Sequence, residues 1–165
     1  MAKPPVTMTL DRVPEVLEAM RLLTNERVYV GVPDKEDGRG GGPIGNAAIG
    51  YINENGSPKQ NIPARPHLRV GVERVKDQVA EELGAGARAL LTGRADAVRT
   101  SYTRAGIIAV NSVRAVITAG AGFAPLADTT IKARKTRKRA PRQGEKPLID
   151  TGQYRNSITH VIRKR

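Results

Sequence analysis

Residues that commonly carry out catalysis are few in this chain and widely separated. The two histidines, His67 and His160, lack the spacing of a metal site, and we interpret each as a surface or interface residue. Nucleophilic catalysis would need one of them beside a serine, and no serine has the flanking pattern of a nucleophile elbow. The carboxylates fall mostly in predicted loops or on exposed helix faces, without the clustered acidic ligands of a nuclease. We therefore predict no enzymatic activity, no metal and no cofactor.

The glycine-rich segment 34–46 is the one stretch whose composition suggests nucleotide binding. The run 38–42 reads Gly-Arg-Gly-Gly-Gly, which has the flexibility of a phosphate-binding loop. Such a loop must end in Gly-Lys-Ser/Thr and open a helix, whereas Pro43, Ile44 and Gly45 follow here. We interpret 34–46 as a solvated loop that is free to contact neighbouring molecules.

Positive charge is concentrated in the segment 121–146, which we predict to be a long basic loop. It contains only two acidic residues, Asp128 and Glu145. A run of this kind is usually a solvated segment, although it can also neutralise phosphates or an acidic protein surface. No aromatic residue is interleaved with these cations, which argues against sequence-specific reading of nucleic acid. The candidates for interface or DNA contact in this segment are Lys132, Arg134, Lys135, Arg137, Lys138, Arg139 and Arg142.

Arg65 is a further candidate because it lies between Pro63 and Pro66 on a stiff, extended segment. Its ordinary role would be solvation, and the alternative is a buried or intersubunit ion pair. A second basic cluster lies at 163–165.

The composition limits the size of the core and the class of partner. With 165 residues the chain suffices for one domain, 1–165, and its net charge of +12 favours an anionic partner. Only 39% of the residues are apolar and five are aromatic, so we expect a modest aliphatic core with arms and loops. There is no cysteine, no apolar run long enough for a membrane span, and no signal-peptide core near the N-terminus. We therefore expect a cytoplasmic site of synthesis and no membrane partner.

Apolar periodicity predicts three helices. The first begins after Asp11, ends near Asn25, and has Val13, Val16, Leu17, Met20 and Leu23 on one face. A second, long helix covers about 69–91, with a bend possible at Gly84 and Gly86. A third covers 95–119 and stops at Gly120.

Strand and turn signals complete the predicted architecture. A strand is predicted at 27–32 and another at 157–162, and we expect the two to pair or to lie close together. Residues 47–52 fit either a strand or a helix, the turn 53–58 contains Asn55-Gly56, and 1–8 reads as an extended arm. The predicted fold is α+β, with a small antiparallel sheet packed by two long helices and a short N-terminal helix.

The segment 146–159, Lys-Pro-Leu-Ile-Asp-Thr-Gly-Gln-Tyr-Arg-Asn-Ser-Ile-Thr, is where the chain leaves the basic loop. Pro147 restricts the backbone. Asp150 offers a turn or capping carboxylate, and Gly152 can adopt a positive φ. Taken alone, these residues predict a turn that seats the last strand, with Asp150 and Gly152 shaping its backbone rather than binding a ligand.

The same segment resembles the C-terminal motif of tail-completion and head–tail joining (neck) proteins of long-tailed bacteriophages. Three further stretches resemble that family in the same order along the chain. They are 48–56 (AIGYINENG), 62–68 (IPARPHL) and 124–131 (APLADTTI). Each is mostly a turn with apolar flanks, and the indication comes from the four occurring together in order. The chain departs from the usual pattern at His67, where an aromatic residue is common, and in the basic insertion before Lys146.

The resemblance implies a structural protein of the virion, assembled in the host cytoplasm and located in the neck or tail. Such proteins form a homo-oligomeric ring, usually a hexamer, between the head connector on the portal side and the tail terminator or tail tube. Genomic DNA in the channel is a further partner that the basic residues would contact without sequence preference. The alternative is a small non-specific nucleic-acid-binding protein that acts through its basic clusters.

Overall fold

The computed structural model describes residues 13–33, 44–138 and 141–164. In chain order its elements are α1 (Val13–Asn25), β1 (Glu26–Gly31), α2 (Asn46–Asn55), α3 (Leu68–Glu73), α4 (Lys76–Leu91), α5 (Asp96–Ala119), α6 (Asp128–Thr136), α7 (Gln153–Ser157) and β2 (Thr159–Lys164). A short 3₁₀ turn, Pro58–Gln60, follows α2. The predicted α+β architecture is confirmed.

The central helix is α5, which packs against α3, α4 and both strands. Its buried stripe has helical spacing and includes Val98, Tyr102, Ala105, Val113 and Ile117. The buried residues form two clusters. Leu90, Val98 and Tyr102 form one near α4, and Val113 and Ile117 form the other with Tyr154 and Ile158. α5 therefore connects the sheet to the C-terminal segment, and it ends at Gly120 with φ 67°, as predicted.

The sheet consists of β1 and β2 paired antiparallel, which confirms the predicted pairing. Val28 lies opposite Ile162, and Val30 lies opposite His160. Val28 and Ile162 pack against the cluster around Tyr102, and Val30 packs against the other cluster. Because side chains alternate along a strand, Tyr29 points to the opposite face, where it is 48% exposed.

The long helix predicted at about 69–91 is instead two helices, α3 and α4, separated at Arg74 and Val75. The predicted bend at Gly84 and Gly86 is therefore misplaced, since Val75 leaves helical geometry with φ −119°. Two close contacts with α5 lie on either side of the break. A β-carbon on Gly71 would lie 2.6 Å from Val113 Cα, and one on Gly86 would lie 2.8 Å from Ser101 Cβ. The break lets α3 and α4 each meet α5 closely.

The predicted basic loop at 121–146 is wrong in part, because residues 128–136 form α6. The acidic Asp128 lies in its first turn and Arg134 and Lys135 lie in its last, an arrangement that suits the helix dipole. The ambiguous stretch 47–52 is helical and belongs to α2. The turn predicted at 53–58 is wrong in part, because 53–55 also belong to α2. Gly56 follows with φ 78°, the positive φ that Asn-Gly predicts.

α1 forms nearly where predicted, but its predicted core face is largely exposed. Val16 and Leu23 are partly buried, whereas Val13, Leu17 and Met20 are 60%, 53% and 55% exposed. The Tyr102 hydroxyl donates a hydrogen bond to Leu23 O at 2.8 Å, which attaches the end of α1 to α5. Only one edge of the apolar face therefore contacts the rest of the described chain.

Several predictions concern residues outside the described ranges. They are the arm at 1–8, the capping role of Asp11, the part of the glycine-rich loop at 34–43, the contact candidate Arg139, and Arg165 of the second basic cluster. Within the described ranges, none of the helices has both the length and the apolarity needed to cross a bilayer.

Candidate assembly site

The four stretches that carry the family resemblance lie next to one another in the fold. α2, from the first stretch, packs against α7, from the last. His67, in the second, hydrogen-bonds to Tyr154 in the last, and Arg65, also in the second, hydrogen-bonds to the third. We call this unit, made of residues 48–56, 62–68, 124–131 and 146–159, the motif junction.

The imidazole of His67 is the most deeply buried polar group of the motif junction. Its Nδ1 lies 2.8 Å from Arg65 O, and its Nε2 makes a short hydrogen bond with the Tyr154 hydroxyl. A carbonyl only accepts, so Nδ1 carries the proton, and Nε2 of the neutral ring accepts from Tyr154. Burial lowers the pKa of His67, although Arg65 O and the nearby Glu54 carboxylate act in the opposite direction.

The rings of His67 and Tyr154 meet edge to face, with centroids 5.4 Å apart and planes at 81°. This geometry is favourable for aromatic pairs, so His67 packs as an aromatic residue would. The prediction that His67 is a surface or interface residue is wrong, because it is 0% exposed. Burial also raises the pKa of the Tyr154 hydroxyl, which therefore stays protonated and able to donate.

Glu54 joins α2 to the start of α3. Its Oε2 accepts from the backbone N–H groups of His67 and Leu68, both at 2.8 Å, and its Oε1 accepts from that of Arg69 at 3.0 Å. The first N–H groups of a helix have no partner inside that helix, so this carboxylate caps α3 from a different element. Partial burial raises the pKa of Glu54, but these hydrogen bonds outweigh it and the net shift is downward.

Arg65 fastens the extended stretch 62–66 to the segment before α6. Its Nε donates to Ala124 O at 2.8 Å and its Nη2 donates to Pro125 O at 2.9 Å. The residue is only 6% exposed. The predicted solvation of Arg65 is therefore wrong. Of the alternative, a buried or intersubunit ion pair, only the burial is confirmed, because the hydrogen bonds found here go to carbonyl groups.

Two arginines, Arg134 in α6 and Arg137 directly after it, bind the segment that leads from α6 to α7. Arg134 Nη1 donates to Lys146 O and Ile149 O, both at 3.1 Å, and its side chain is 12% exposed. Arg137 binds the carboxylate of Asp150 with two parallel hydrogen bonds of 2.8 Å. These bonds hold the pKa of Asp150 below its usual value, and the charge of Arg134 acts in the same direction.

Gly152 lies at the start of α7 with φ 82°. The predicted positive φ at this turn is therefore confirmed. Asp150 and Gly152 shape this turn together. Arg137 holds Asp150, and the positive φ of Gly152 lets the chain enter α7. Tyr154 in α7 then faces His67.

A cleft of about 520 Å³ opens at the motif junction. Of the ten predicted contact and turn residues, the cleft brings together Arg65, Arg134, Arg137, Asp150 and Gly152. Four of these, the three arginines and Asp150, are bound by groups of the chain itself. The remaining described candidates, Lys132, Lys135, Lys138 and Arg142, are exposed, and Lys135 lies 3.2 Å from Glu145.

Sequence reasoning missed Glu54 and Tyr154 as organising residues and misplaced His67. Both missed residues lie inside stretches that were singled out, but nothing in a single sequence shows that positions 54, 67 and 154 meet. The three together resemble a catalytic set only in residue type. Both Glu54 oxygens accept from backbone N–H groups, both His67 nitrogens are hydrogen-bonded, and the imidazole is inaccessible to solvent.

Charged and aromatic side chains thus hold the four separate backbone segments of the motif junction together. No protein-family model, curated protein or solved structure matches this chain.

Proposed function

We propose that this chain is a structural protein of a bacteriophage neck, which assembles into a ring that completes the tail and joins it to the head connector. The supporting observation is that the four stretches resembling this family pack together as the motif junction. Arg65 hydrogen-bonds to Ala124 and Pro125, His67 hydrogen-bonds to Tyr154, and α2 packs against α7. Stretches with a shared structural role are expected to meet in this way.

A second observation suits assembly with neighbours. Within the described residues the sheet has two strands, so each strand has one edge without a strand partner. Unpaired edges and exposed apolar side chains such as Tyr29 are features that a partner subunit can cover. The ring, usually sixfold in the family that the chain resembles, would place such surfaces between subunits, with the tail terminator or tube on one side and the head connector on the other.

The decisive experiment is complementation of particles assembled without this protein. In an extract of cells infected by a phage that lacks the gene, filled heads and tails should accumulate unjoined. Adding the purified chain should restore joined, infectious particles, visible by negative-stain electron microscopy. Normal particles in the absence of the protein would contradict the proposal.

The alternative function, non-specific nucleic-acid binding, is favoured by the exposed cations Lys132, Lys138 and Arg142. Such binding would weaken steeply with salt, because it depends on counterion release. The test is fluorescence anisotropy with random duplex DNA at physiological salt. Micromolar or tighter binding by the free chain, lost when these three residues are changed to Gln, would support the alternative.

A matched control distinguishes DNA binding through this local cluster from attraction by the total charge of the chain. Changing the exposed cations Lys59, Arg69 and Arg94 to Gln removes the same charge from other surfaces. Equal losses for both triple variants would indicate attraction by net charge alone. Absence of binding by the unmodified chain would count against the alternative.

A further inference from the structure

The apolar stripe of α1 has the spacing of a docking helix. Val13, Leu17 and Met20 occupy positions i, i+4 and i+7, which lie along one side of a helix. All three are more than half exposed. Helices that insert into grooves of partner proteins present apolar anchors at this spacing. We call these three residues the α1 stripe.

An apolar groove of about 530 Å³ lies on the same chain, between β1 and the helices α3, α4 and α5. Its walls include Val72, Val79, Leu83, Ala87 and Ala109. Val72 is 38% exposed, so the groove is accessible from outside. Its volume falls within the range of clefts that bind small ligands, roughly 300–1,000 Å³, so it has room for apolar side chains of a partner.

The α1 stripe cannot fill the groove of its own chain. Leu23, in the last turn of α1, already lines that groove, and the hydrogen bond from Tyr102 to Leu23 O holds the end of the helix there. The stripe lies along the outward side of the same helix. It can therefore reach a groove only on another molecule.

Charge also favours a second copy of this chain as the occupant. The chain carries a net charge of +12, so two copies repel each other over most of their surfaces. α1 is instead slightly acidic, with Glu15 and Glu18 against Arg21, so its surface is attracted to a second copy of the basic chain rather than repelled by it. Glu18 and Arg21 beside the α1 stripe lie 3.6 Å apart as an ion pair, and Glu26 and Arg27 both line the groove.

We propose that the α1 stripe of one subunit docks in the apolar groove of the next. The contact joins two different surfaces, so it is heterologous and generates a ring when the rotation between subunits closes. The inference rests on the proposed ring-forming function and assigns its subunit interface. The burial of Leu17 and Met20 against Val72, Val79 and Leu83 supplies the attraction.

The test places a charge in each of the two surfaces of the 165-residue chain. Leu17→Lys places a charge in the stripe, and Val72→Lys places the same charge in the groove. Leu91→Lys is the control, because Leu91 is also a helical leucine and is 54% exposed, against 53% for Leu17. Ala87→Lys is a second groove variant. Circular dichroism checks that each variant is folded, and sedimentation velocity measures assembly.

The wild-type chain and Leu91→Lys should assemble with increasing concentration, whereas the stripe and groove variants should need at least about tenfold more protein. An equimolar mixture of Leu17→Lys and Val72→Lys retains one good stripe and one good groove. The mixture should form dimers and no larger assembly.

Four outcomes would overturn the inference. If both variants assemble as the wild type does, self-association uses another surface and the neck proposal stands. If Leu17→Lys loses assembly while Val72→Lys and Ala87→Lys keep it, α1 pairs with α1 rather than with the groove. A mixture that yields no dimer excludes a heterologous contact. A wild-type chain that remains monomeric at all concentrations excludes self-docking and leaves the neck proposal to the complementation experiment.

Discussion

The Tyr154 hydroxyl supplies the buried Nε2 of His67 with its hydrogen bond. Tyr154→Phe removes only the oxygen and leaves that nitrogen buried without its donor. An unsatisfied buried polar atom costs about 1–3 kcal/mol, and we expect this loss in the free energy of unfolding measured with urea. Tyr51→Phe is the control, since Tyr51 is 72% exposed. Equal stabilities for the two variants would show that the His67–Tyr154 bond contributes nothing measurable.

His67 should make stability depend on pH. Burial lowers its pKa in the folded protein, so the unfolded chain takes up the proton first as the pH falls. The contribution of His67 to stability is complete above the ordinary histidine pKa, about 6.5. It decreases below that pH by at most about 1.4 kcal/mol per pH unit.

The measurement is the urea unfolding of the wild type and His67→Phe between pH 8 and pH 5. The variant keeps an aromatic ring and removes the titrating group, so its stability should decrease less over this interval. Glu54, whose pKa is also lowered, adds a loss in the same direction at lower pH in both proteins. Parallel curves would refute a role for His67.

Gly152 is predicted to be intolerant of side chains because of its backbone rather than its surroundings. No atom lies within 4 Å of a β-carbon built there, but φ is 82°. A β-branched residue in this region costs at least about 1–2 kcal/mol. Gly152→Val should therefore lose stability and particle assembly, whereas Gly152→Asn should retain more of both, since asparagine tolerates positive φ. Normal particle yield from Gly152→Val would contradict the role of this turn.

At the scale of elements, the contact between α2 and α7 allows no extra atom at Gly50. A β-carbon there would lie 2.8 Å from Tyr154 Oη. Gly50→Ala should be destabilising by about 1–3 kcal/mol, as overpacking usually is.

Gly84→Ala in α4 is the matched control for Gly50→Ala. Its β-carbon would meet only the flexible end of Arg88, at 3.3 Å. It should stabilise α4 by up to about 1 kcal/mol, because alanine favours helix. Urea unfolding of both variants measures the difference, and opposite signs are expected. A stabilising Gly50→Ala would show that α7 moves away from α2 at little cost.

The elements themselves could be predicted where a local pattern determines them. β1 has a β-branched and aromatic run that ends at proline, and α5 has a long apolar stripe that ends at Gly120. α6 was missed because its composition is dominated by cations. Its Arg134 is held by distant groups, the carbonyl oxygens of Lys146 and Ile149, which no local pattern reveals.

At the scale of the whole molecule, α5 belongs to both buried clusters and contacts both strands. We therefore expect the chain to unfold in a single cooperative transition, as small single domains usually do. Far-ultraviolet circular dichroism reports the helices. Fluorescence reports the four tyrosines, of which Tyr102 and Tyr154 are buried and should change most on unfolding. The two urea transitions should coincide, and separate midpoints would show that the motif junction unfolds independently of the α4–α5 pair.

The sequence by itself determined α1, α5, the two strands with their antiparallel pairing, and the positive φ at Gly56, Gly120 and Gly152. These features depend on periodicity and on local backbone preferences, which a single sequence contains. The sequence also contains the four stretches that resemble neck proteins, but it does not show that these stretches contact one another in the fold.

Only the tertiary structure decided which charged and polar side chains face inward. The sequence predicts a solvated basic surface for Arg65, Arg134 and Arg137, yet each is bound to groups of the chain itself. His67 read as a surface residue and is fully buried, whereas Leu17 and Met20 read as core and are exposed. The physical reason is that burial depends on which segments pack together over long sequence separations, and composition and periodicity do not specify those contacts.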